Sequence, residues 1–516
     1  MTTSSQLVRS TPEREGVDSR SIDVFLNTVE HRGFELHSFM LCKGSSVVAE
    51  GWWSPYRAGR QHMLHSLTKS VASMGVGIAI EQGHFNLDTQ VISLFPNELP
   101  PHVSPNLEMM TIRHLLTMTT GHATGISGGE WRTIRTSWVK EFFKEPVVEP
   151  PGSRFIYSSA SSYMLSAIVQ KTTGRTLRDY VDEFVFRHLD IDNFEWDASP
   201  EGITSGGNGL SLTTEAIAKI GILHLQLGNW DDKQVLPKAW VEAATSPHLK
   251  DVWMGAFDGK RMQAGGEESA RAGGERHHGY GYQWWMGPAG AYYAYGLFGQ
   301  YCVVLPRENA VIAFTAALPA PESRLLELVW SDLVPALAGR QTGSNGADAT
   351  LLTKRLANPA FAPRPYRTSD LARQISGGTY LFEHNADEAI SCSLTFTNDT
   401  CLFVLVDARG SHTVKVGLGF WIEGQTTMTG NKLHHEYQPP HLEVTASGTW
   451  PSEDVFEMTW IYPETAFRDS VRCTFAGNRI SIDRWVNVNT SATVRPTVHG
   501  SLLANIVSRK TIVSDR

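Results

Sequence analysis

The sequence predicts an α+β protein: a mixed domain whose sheet is assembled from distant strands around a helical middle, followed by an antiparallel β domain. Three observations carry this. The chain has 516 residues, too many for one ordinary core, so two or three domains are expected. Strand-like runs at 38–42, 47–53, 279–285, 300–306 and 310–318 bracket a mainly helical stretch from about 84 to 250. Strands at both ends of a helical segment imply one sheet with the helices inserted. After residue 375 the texture changes to short segments of alternating apolar residues.

The elements follow in order. Residues 17–32 read as an amphipathic helix, and Lys43 and Gly44 as the turn of a hairpin between the first two strands. Ser66 to Gln82 reads as a helix with Gly83 as its stop. Segments 111–120, 163–174 and 214–228 carry apolar residues at helical spacing, and a helix at 323–337 closes the first domain. The Gly-rich, polar segment 259–279 reads as a mobile surface loop. Residues 1–340 are thus assigned to the first domain. Residues 341–375, rich in Gly, Pro, Arg and Ala, are assigned to a linker, and 376–516 to the β domain. In that last part, 389–397, 400–406, 442–450, 454–461 and 479–485 read as strands of a small barrel or sandwich. Phe456, Met458 and Trp460 share one strand face, and Gly477-Asn478 gives a turn.

Composition narrows the function classes. Hydrophobic content of 41% and charged content of 19% describe a soluble globular chain. A net charge of -8 without any Lys/Arg run speaks against a nucleic-acid partner. The start has no apolar signal-peptide region, and the apolar stretches are too short for a membrane span. The cysteines, Cys42, Cys302, Cys392, Cys401 and Cys473, are odd in number and lack metal-finger spacing. Reduced thiols in a cytoplasmic protein are expected, with none as nucleophile.

The strongest chemical signal is His65-Ser66-Leu67-Thr68-Lys69-Ser70 at the mouth of a helix. A spacing of three puts Ser66 and Lys69 on one helical face, one turn apart. A serine hydroxyl is a poor nucleophile until a base takes its proton. An amine can be that base when burial lowers its pKa. The plain alternative is a helix cap beside a solvated lysine. The run after Lys69, SVASMGVGIAIEQG, reads as a helix buried nearly all round, which favours a desolvated amine.

Ser66 to Lys69 with this buried helix resembles the active-site motif of serine β-lactamases and D-peptidases. TIRHLLTMTTGH, PGSRFIYSSASSYMLSAIVQKTTG, GLSLTTEAIAKIGILHLQLGNW, QVLPKAWVEAAT and GLFGQYCVVLP resemble further family segments, in the family's order, over roughly residues 15–338. By texture the chain is similar to class C β-lactamases, family esterases and nylon-oligomer hydrolases. The resemblance implies a β-lactamase/transpeptidase-like α/β sandwich: an antiparallel sheet with helices on both faces and a helical subdomain. It implies Ser66 as nucleophile, with Lys69 and Tyr157 handling its proton as a coupled pair and Lys69 holding Tyr157 partly ionised. It also implies an oxyanion hole from the backbone N–H groups of Ser66 and Leu297, and substrate contacts around Ser159, Gly296, Gly299 and Gln300. Core packing is the alternative for Tyr157.

Two departures matter. The family's second motif usually reads Tyr-x-Asn, and here it is Tyr157-Ser158-Ser159. The third usually reads Lys-Thr-Gly or His-x-Gly, and the best match is Ala294-Tyr295-Gly296, which has no cation. The missing cation argues against efficient penicillin hydrolysis and for esters or amides whose acyl part carries no carboxylate.

Other motifs rank lower. Gly125 to Gly129 matches G-x-S-x-G around Ser127 but lacks the strand and helix of a nucleophile elbow, so a rim loop is expected. His277 and His278 have no ligand partners at metal spacing, and Asp190, Asp192 and Glu195 lack a calcium-loop pattern. For Trp131, Trp138, Trp284 and Trp285, core packing and pocket lining are both open. The expected function is therefore a hydrolase acting on a small ester or amide, without metal or organic cofactor. An acyltransferase on the same scaffold and a non-catalytic binding protein are the alternatives. The β domain resembles accessory domains of the family, with cleft capping, substrate-size limits and homodimerisation all open.

Overall fold

The hairpin near residue 44 sets the order of a nine-stranded sheet. In the computed structural model, residues 6–258, 260–265, 275–319, 322–337 and 346–503 are described. They divide into two units, 1–361 with 463–466 and 362–462 with 467–516.

In the first unit, β1 (Val8–Arg9) is followed by α1 (Ser19–His31), β2 (Glu35–Lys43) and β3 (Ser46–Trp52). Next come α2 (Thr68–Glu81), α3 (Ser159–Thr173) and α4 (Thr214–Leu225). The remaining strands of the main sheet are β4 (Leu249–Met254), β5 (Glu275–Tyr280), β6 (Trp285–Met286), β7 (Tyr292–Gly296), β8 (Gln300–Leu305) and β9 (Ala310–Ala317). Among the described residues nine strands form one sheet, in the order β1-β3-β2-β9-β8-β7-β6-β5-β4. The early hairpin thus lies beside the last strand, Phe39 opposite Phe314 and Met40 opposite Ala313. Gly44 turns the hairpin at a φ of 57°, where a side chain is strained.

Parity along the central strands explains the two cores. Phe39, Leu41, Ile312 and Phe314 face α1 and the helical segment 323–337. Met40, Cys42, Val311 and Ala313 face α2 and α4. The run AVIAFTAA is buried throughout, and apolar but for Thr315, because both faces of β9 are covered. This is the layered α/β/α arrangement with helices inserted between distant strands. No helix among the described residues is long and apolar enough to cross a membrane.

Some local readings are corrected. The run 279–285 is two strands with a turn between them. Gly281 lies so close to the Ala244 carbonyl that a Cβ would sit 2.1 Å from it, and Gln283 turns at a φ of 67°. Only Ile112–Leu116 of the expected helix at 111–120 is helical, and Met118 at a φ of 59° ends it. Of the loop expected at 259–279, residues 259 and 266–274 lie outside the described residues. Arg261–Met262 pairs with Gly125–Ile126, and Glu275–Tyr280 is a sheet strand. The expected linker carries a helix at Gly346–Ala357. Leu352 is buried there, Leu356 packs on Gly51, and Arg355 pairs with Asp23 and Glu30 of α1. The Pro, Arg and Gly content of 339–375 hid this single apolar stripe.

In the second unit, antiparallel neighbours run from Gly410–Leu418 through Thr400–Asp407, Ala389–Phe396, Thr379–Phe382, Val498–Leu502, Arg479–Val486, Arg468–Ala476 and Val455–Ile461 to Leu442–Ser452. Gly417 and Leu418 then pair with Ser447 and Gly448, so the sheet closes into a barrel, and Ile422–Thr426 flanks the closure. Of the two architectures expected, the barrel is the one formed. Phe456, Met458 and Trp460 are buried. All five cysteines are buried free thiols.

The helix that matters most for the site is α2. Its residues from Thr68 to Ala79 are all buried. Gly75 and Gly77 make this packing fit: a Cβ would lie 2.6 Å from Leu177 and 2.3 Å from the Trp240 ring. A rigid indole has nowhere to retreat, so Gly77→Ala is expected to destabilise the protein by about 1–3 kcal/mol despite Ala's better helix propensity. Thermal unfolding of the variant checks this, and an unchanged or raised unfolding temperature contradicts it.

Candidate active site

Ser66 lies in a short 3-10 turn, His65–Leu67, that leads into α2. His65 has a φ of 47°, and this kink lifts Ser66 out of the buried run around it. Ser66 is partly exposed while His65, Leu67, Thr68 and Lys69 are buried. The spacing of three then brings Lys69 back to the hydroxyl, with Nζ 3.0 Å from Ser66 Oγ.

The Lys69 amine has two other partners, Ser159 Oγ at 3.1 Å and the Gly207 carbonyl at 2.6 Å. No carboxylate pairs with it among the described residues, and the side chain is 1% exposed. Burial alone lowers its pKa from 10.5 to about 7. A neutral amine has two N–H donors and one lone pair. Gly207 O can only accept and Ser159 Oγ can accept, so the lone pair is left for the Ser66 proton.

Tyr157 lies in the extended segment before α3, held by the Ile156 N–H on the Met118 carbonyl at 2.8 Å. Its ring packs 5.4 Å from that of Trp285, and Lys69 Nζ is 4.9 Å from its centroid. The phenol is buried. Burial raises its pKa well above 10, and the Ser66 hydroxyl pulls in the opposite direction with the smaller effect. The two hydroxyls are near enough to interact, yet the phenol O–H is not aligned as a hydrogen bond to any described residue. The phenol therefore stays protonated, in contrast to the partly ionised tyrosine expected from the sequence.

On the sheet side, β7 ends at Gly296 against the Ser66 turn. A Cβ there would lie 1.9 Å from the Leu64 carbonyl, so only glycine permits the approach. In the following turn Gly299 N–H donates to Gly296 O, and Leu318 N–H to Phe298 O. The Gln300 amide donates to Leu297 O at 3.1 Å and to Ala316 O at 2.9 Å. Among the described residues, the N–H groups of Ser66 and Leu297 have no backbone acceptor. Gln300 is 0% exposed and Gly299 turns at a φ of 95° against Leu318, so both brace this turn from behind and neither faces a substrate.

Residues that the motifs did not single out complete the site. Gly207 supplies the carbonyl on Lys69, and its close packing on Ser159 leaves no room for a side chain. Thr68 Oγ1 accepts the Leu210 N–H and ties that segment to α2. Gln283 locks the helices together. Its carbonyl takes Ser70 Oγ–H, its side-chain oxygen takes Ser162 Oγ–H, and its amide donates to Leu116 O. The glycine cluster at 206–209 was the one available signal.

The competing motifs resolve into structure. Ser127 caps a short helix at Glu130 N and donates to Lys260 O. His277 is buried on the Tyr293 hydroxyl at 2.7 Å. Trp131 and Trp138 stack on each other, and Trp284 and Trp285 are buried.

A sequence model of the Beta-lactamase family matches residues 27–330, more than half of the chain. The chain belongs to the Beta-lactamase family. A curated relative, the 6-aminohexanoate-dimer hydrolase of Paenarthrobacter ureafaciens, is 24% identical over 305 residues, covering 56% of this chain and 74% of the relative. A solved beta-lactamase-like protein from Bacteroides dorei shares the fold at a TM-score of 0.50 and 17% identity, over 62% of this chain and 99% of that one. A penicillin-binding protein homologue from Pyrococcus abyssi aligns with 93% of this chain and 99% of its own, at a TM-score of 0.47 and 15% identity. This family member is a serine hydrolase by fold and family.

Holding an amine neutral in a core opposes folding. Between about 7 and 10.5 the unfolded chain binds the Lys69 proton and the folded chain does not. Stability therefore rises with pH across that window, and the penalty is complete below it. Lys69→Met is expected to stabilise the fold by about 2 kcal/mol at pH 6 and to lose most of that advantage by pH 10. Unfolding temperatures at the two pH values check this; a pH-independent difference contradicts it.

Proposed function

We propose that this family member cleaves an ester or amide bond through an acyl-enzyme on Ser66. The carrying observation is the desolvated Lys69 amine, with its lone pair available to the Ser66 hydroxyl and its N–H groups used elsewhere. Ser66 Oγ attacks the carbonyl carbon as its proton passes to Lys69. The N–H groups of Ser66 and Leu297 receive the oxyanion. Tyr157, held protonated, gives its proton to the leaving alcohol or amine and is reprotonated from Lys69. Water then attacks the acyl-enzyme, loses its proton along the reverse path and releases the acid.

Substrate class follows from what faces the nucleophile. Ala294 stands where the family's third motif places a cation, and Ser159 spends its hydroxyl on Lys69. Neither supplies a partner for a carboxylate on the acyl part. The relative named 6-aminohexanoate-dimer hydrolase supports hydrolysis as the reaction, with the free acid as product whether or not an alcohol acceptor is added.

Ser66→Ala is expected to lower turnover of p-nitrophenyl esters by about 10⁴-fold or more, and a serine-directed phosphonate to label Ser66. A fully active Ser66→Ala enzyme ends this reading. Across p-nitrophenyl esters, D-amino acid amides, 6-aminohexanoate dimer and a chromogenic cephalosporin, the cephalosporin is expected to be the poorest substrate. Strong turnover of it contradicts the argument from Ala294. The rate kcat/KM is expected to rise with pH through about 7 as Lys69 loses its proton. A profile flat from pH 5 to 9 removes Lys69 as the base.

A further inference from the structure

Against the turn after β7 lies a buried acid, at the start of the helical segment 323–337, that the reaction itself does not use. Glu322 is 5% exposed, and no cation pairs with it among the described residues. Its two oxygens serve different donors: Oε1 accepts the Phe298 N–H at 3.1 Å, and Oε2 accepts the Tyr295 hydroxyl proton. One donor is the last side chain before Gly296. The other is the backbone directly after Leu297. Phe298 needs the restraint, because it holds a φ of 67° without being glycine.

Among the described residues, the backbone N–H groups of this turn are tied at every point but one. Gly296 O, Leu297 O, Phe298 O, Phe298 N–H and Gly299 N–H are all engaged. The Leu297 N–H is left over, next to the chain that carries Ser66. We propose that Glu322 is a positioning residue of the oxyanion hole, clamping Phe298 to Tyr295 so that the free Leu297 N–H is aimed at the oxygen of the reacting carbonyl. This rests on the acyl-enzyme reading. An N–H donor stabilises a developing oxyanion only within a narrow tolerance of distance and angle. Losing the clamp strands a buried Phe298 N–H and lets the strained residue relax, and both effects rotate the Leu297 peptide.

The test compares a p-nitrophenyl ester with its thionoester on the full-length protein. Sulfur is a weak acceptor, so a working oxyanion hole favours the oxygen ester, and the ratio of the two rates reports the hole itself. A fraction of misfolded protein lowers both rates and leaves the ratio unchanged. Glu322→Leu is expected to lower kcat for the oxygen ester about 100-fold with KM changed less than about threefold, and to shrink the ratio about tenfold. Glu322→Gln keeps an acceptor for Phe298 and is expected to stay within about fivefold of the parent. Tyr295→Phe removes one of the two donors and is expected to lower kcat about three- to tenfold with a smaller ratio. If Glu322→Leu does not fold, Tyr295→Phe decides. An unchanged ratio in the folded variant overturns the proposal, as does full kcat in Glu322→Leu. Ser66→Ala in the same assay separates the two claims. If it is inactive while Glu322→Leu is unimpaired, only the role of Glu322 falls; if it is active, the acyl-enzyme falls first.

Discussion

Lys69 lies in a core where no described residue supplies a counter-ion, and its amine rests on three oxygens from three different segments. That single desolvation dictates much of what surrounds it. An ammonium in such a place would need a carboxylate, and none is supplied, so the amine gives up its proton near neutral pH. The environment is made by α2 itself. Its small residues let neighbours close in on every side: Leu177 and Val181 against Gly75, Trp240 against Gly77. A helix with a polar face would admit water to its first turn and return the amine to its ordinary pKa. The glycines, which weaken a helix intrinsically, are here a condition of the chemistry.

The sheet contributes the opposite kind of constraint. His65 and Phe298 are both non-glycine residues in the left-handed region, at φ values of 47° and 67°. Each adjoins one of the two free N–H groups, and their rings pack edge to face with centroids 5.4 Å apart. Strain of this kind persists only where surroundings over-determine it. Gly296 lets β7 press on the Leu64 carbonyl, Gln300 braces Leu297 from behind, and Glu322 holds Phe298. Gln283 does the same for the helical half by joining α2, α3 and the segment ending at Leu116. The site is thus a meeting of two stiff pieces, one bringing nucleophile and base, the other bringing a donor.

What the sequence made legible divides along sequence distance. Ser66 and Lys69 could be paired because a helical turn is a local rule. The hairpin at Gly44 and the alternation at Phe456, Met458 and Trp460 are equally local. Tyr157 was reached only through resemblance, since nothing near it marks it off from a core aromatic. Gly207 and Gln283 act through contacts to residues 138 and 213 positions away, and no spacing rule encodes those. Glu322 was hidden for another reason: a lone acid at the start of an apolar helix reads as a capping residue. The helix at Gly346–Ala357 was missed because its apolar stripe is only Leu352 and Leu356, set among residues typical of linkers. The ionisation of Tyr157 was misjudged because proximity to a lysine was weighed and burial was not. Above about pH 7, where the amine is itself largely neutral, there is little positive charge to draw the phenolic proton off.

These pieces combine into one electrostatic consequence. Above about pH 7 the amine is mostly uncharged, the phenol is protonated, and Ala294 brings no cation to the face that Gly296 shares with it. The two N–H groups are dipoles, not charges. A substrate anion approaching such a site would lose its hydration and gain no counter-charge, which costs several kcal/mol. A neutral ester or amide loses little on entering. In the proposed reaction negative charge develops on the carbonyl oxygen during attack, for the two N–H groups to receive, while positive charge develops on Lys69 as it takes the proton. The pair of opposite charges is created together, in a medium of low dielectric and a few ångströms apart, so each stabilises the other most strongly at the transition state. A permanent cation at Ala294 would work against this: it would lower the basicity of Lys69 further and draw anionic substrates to the site.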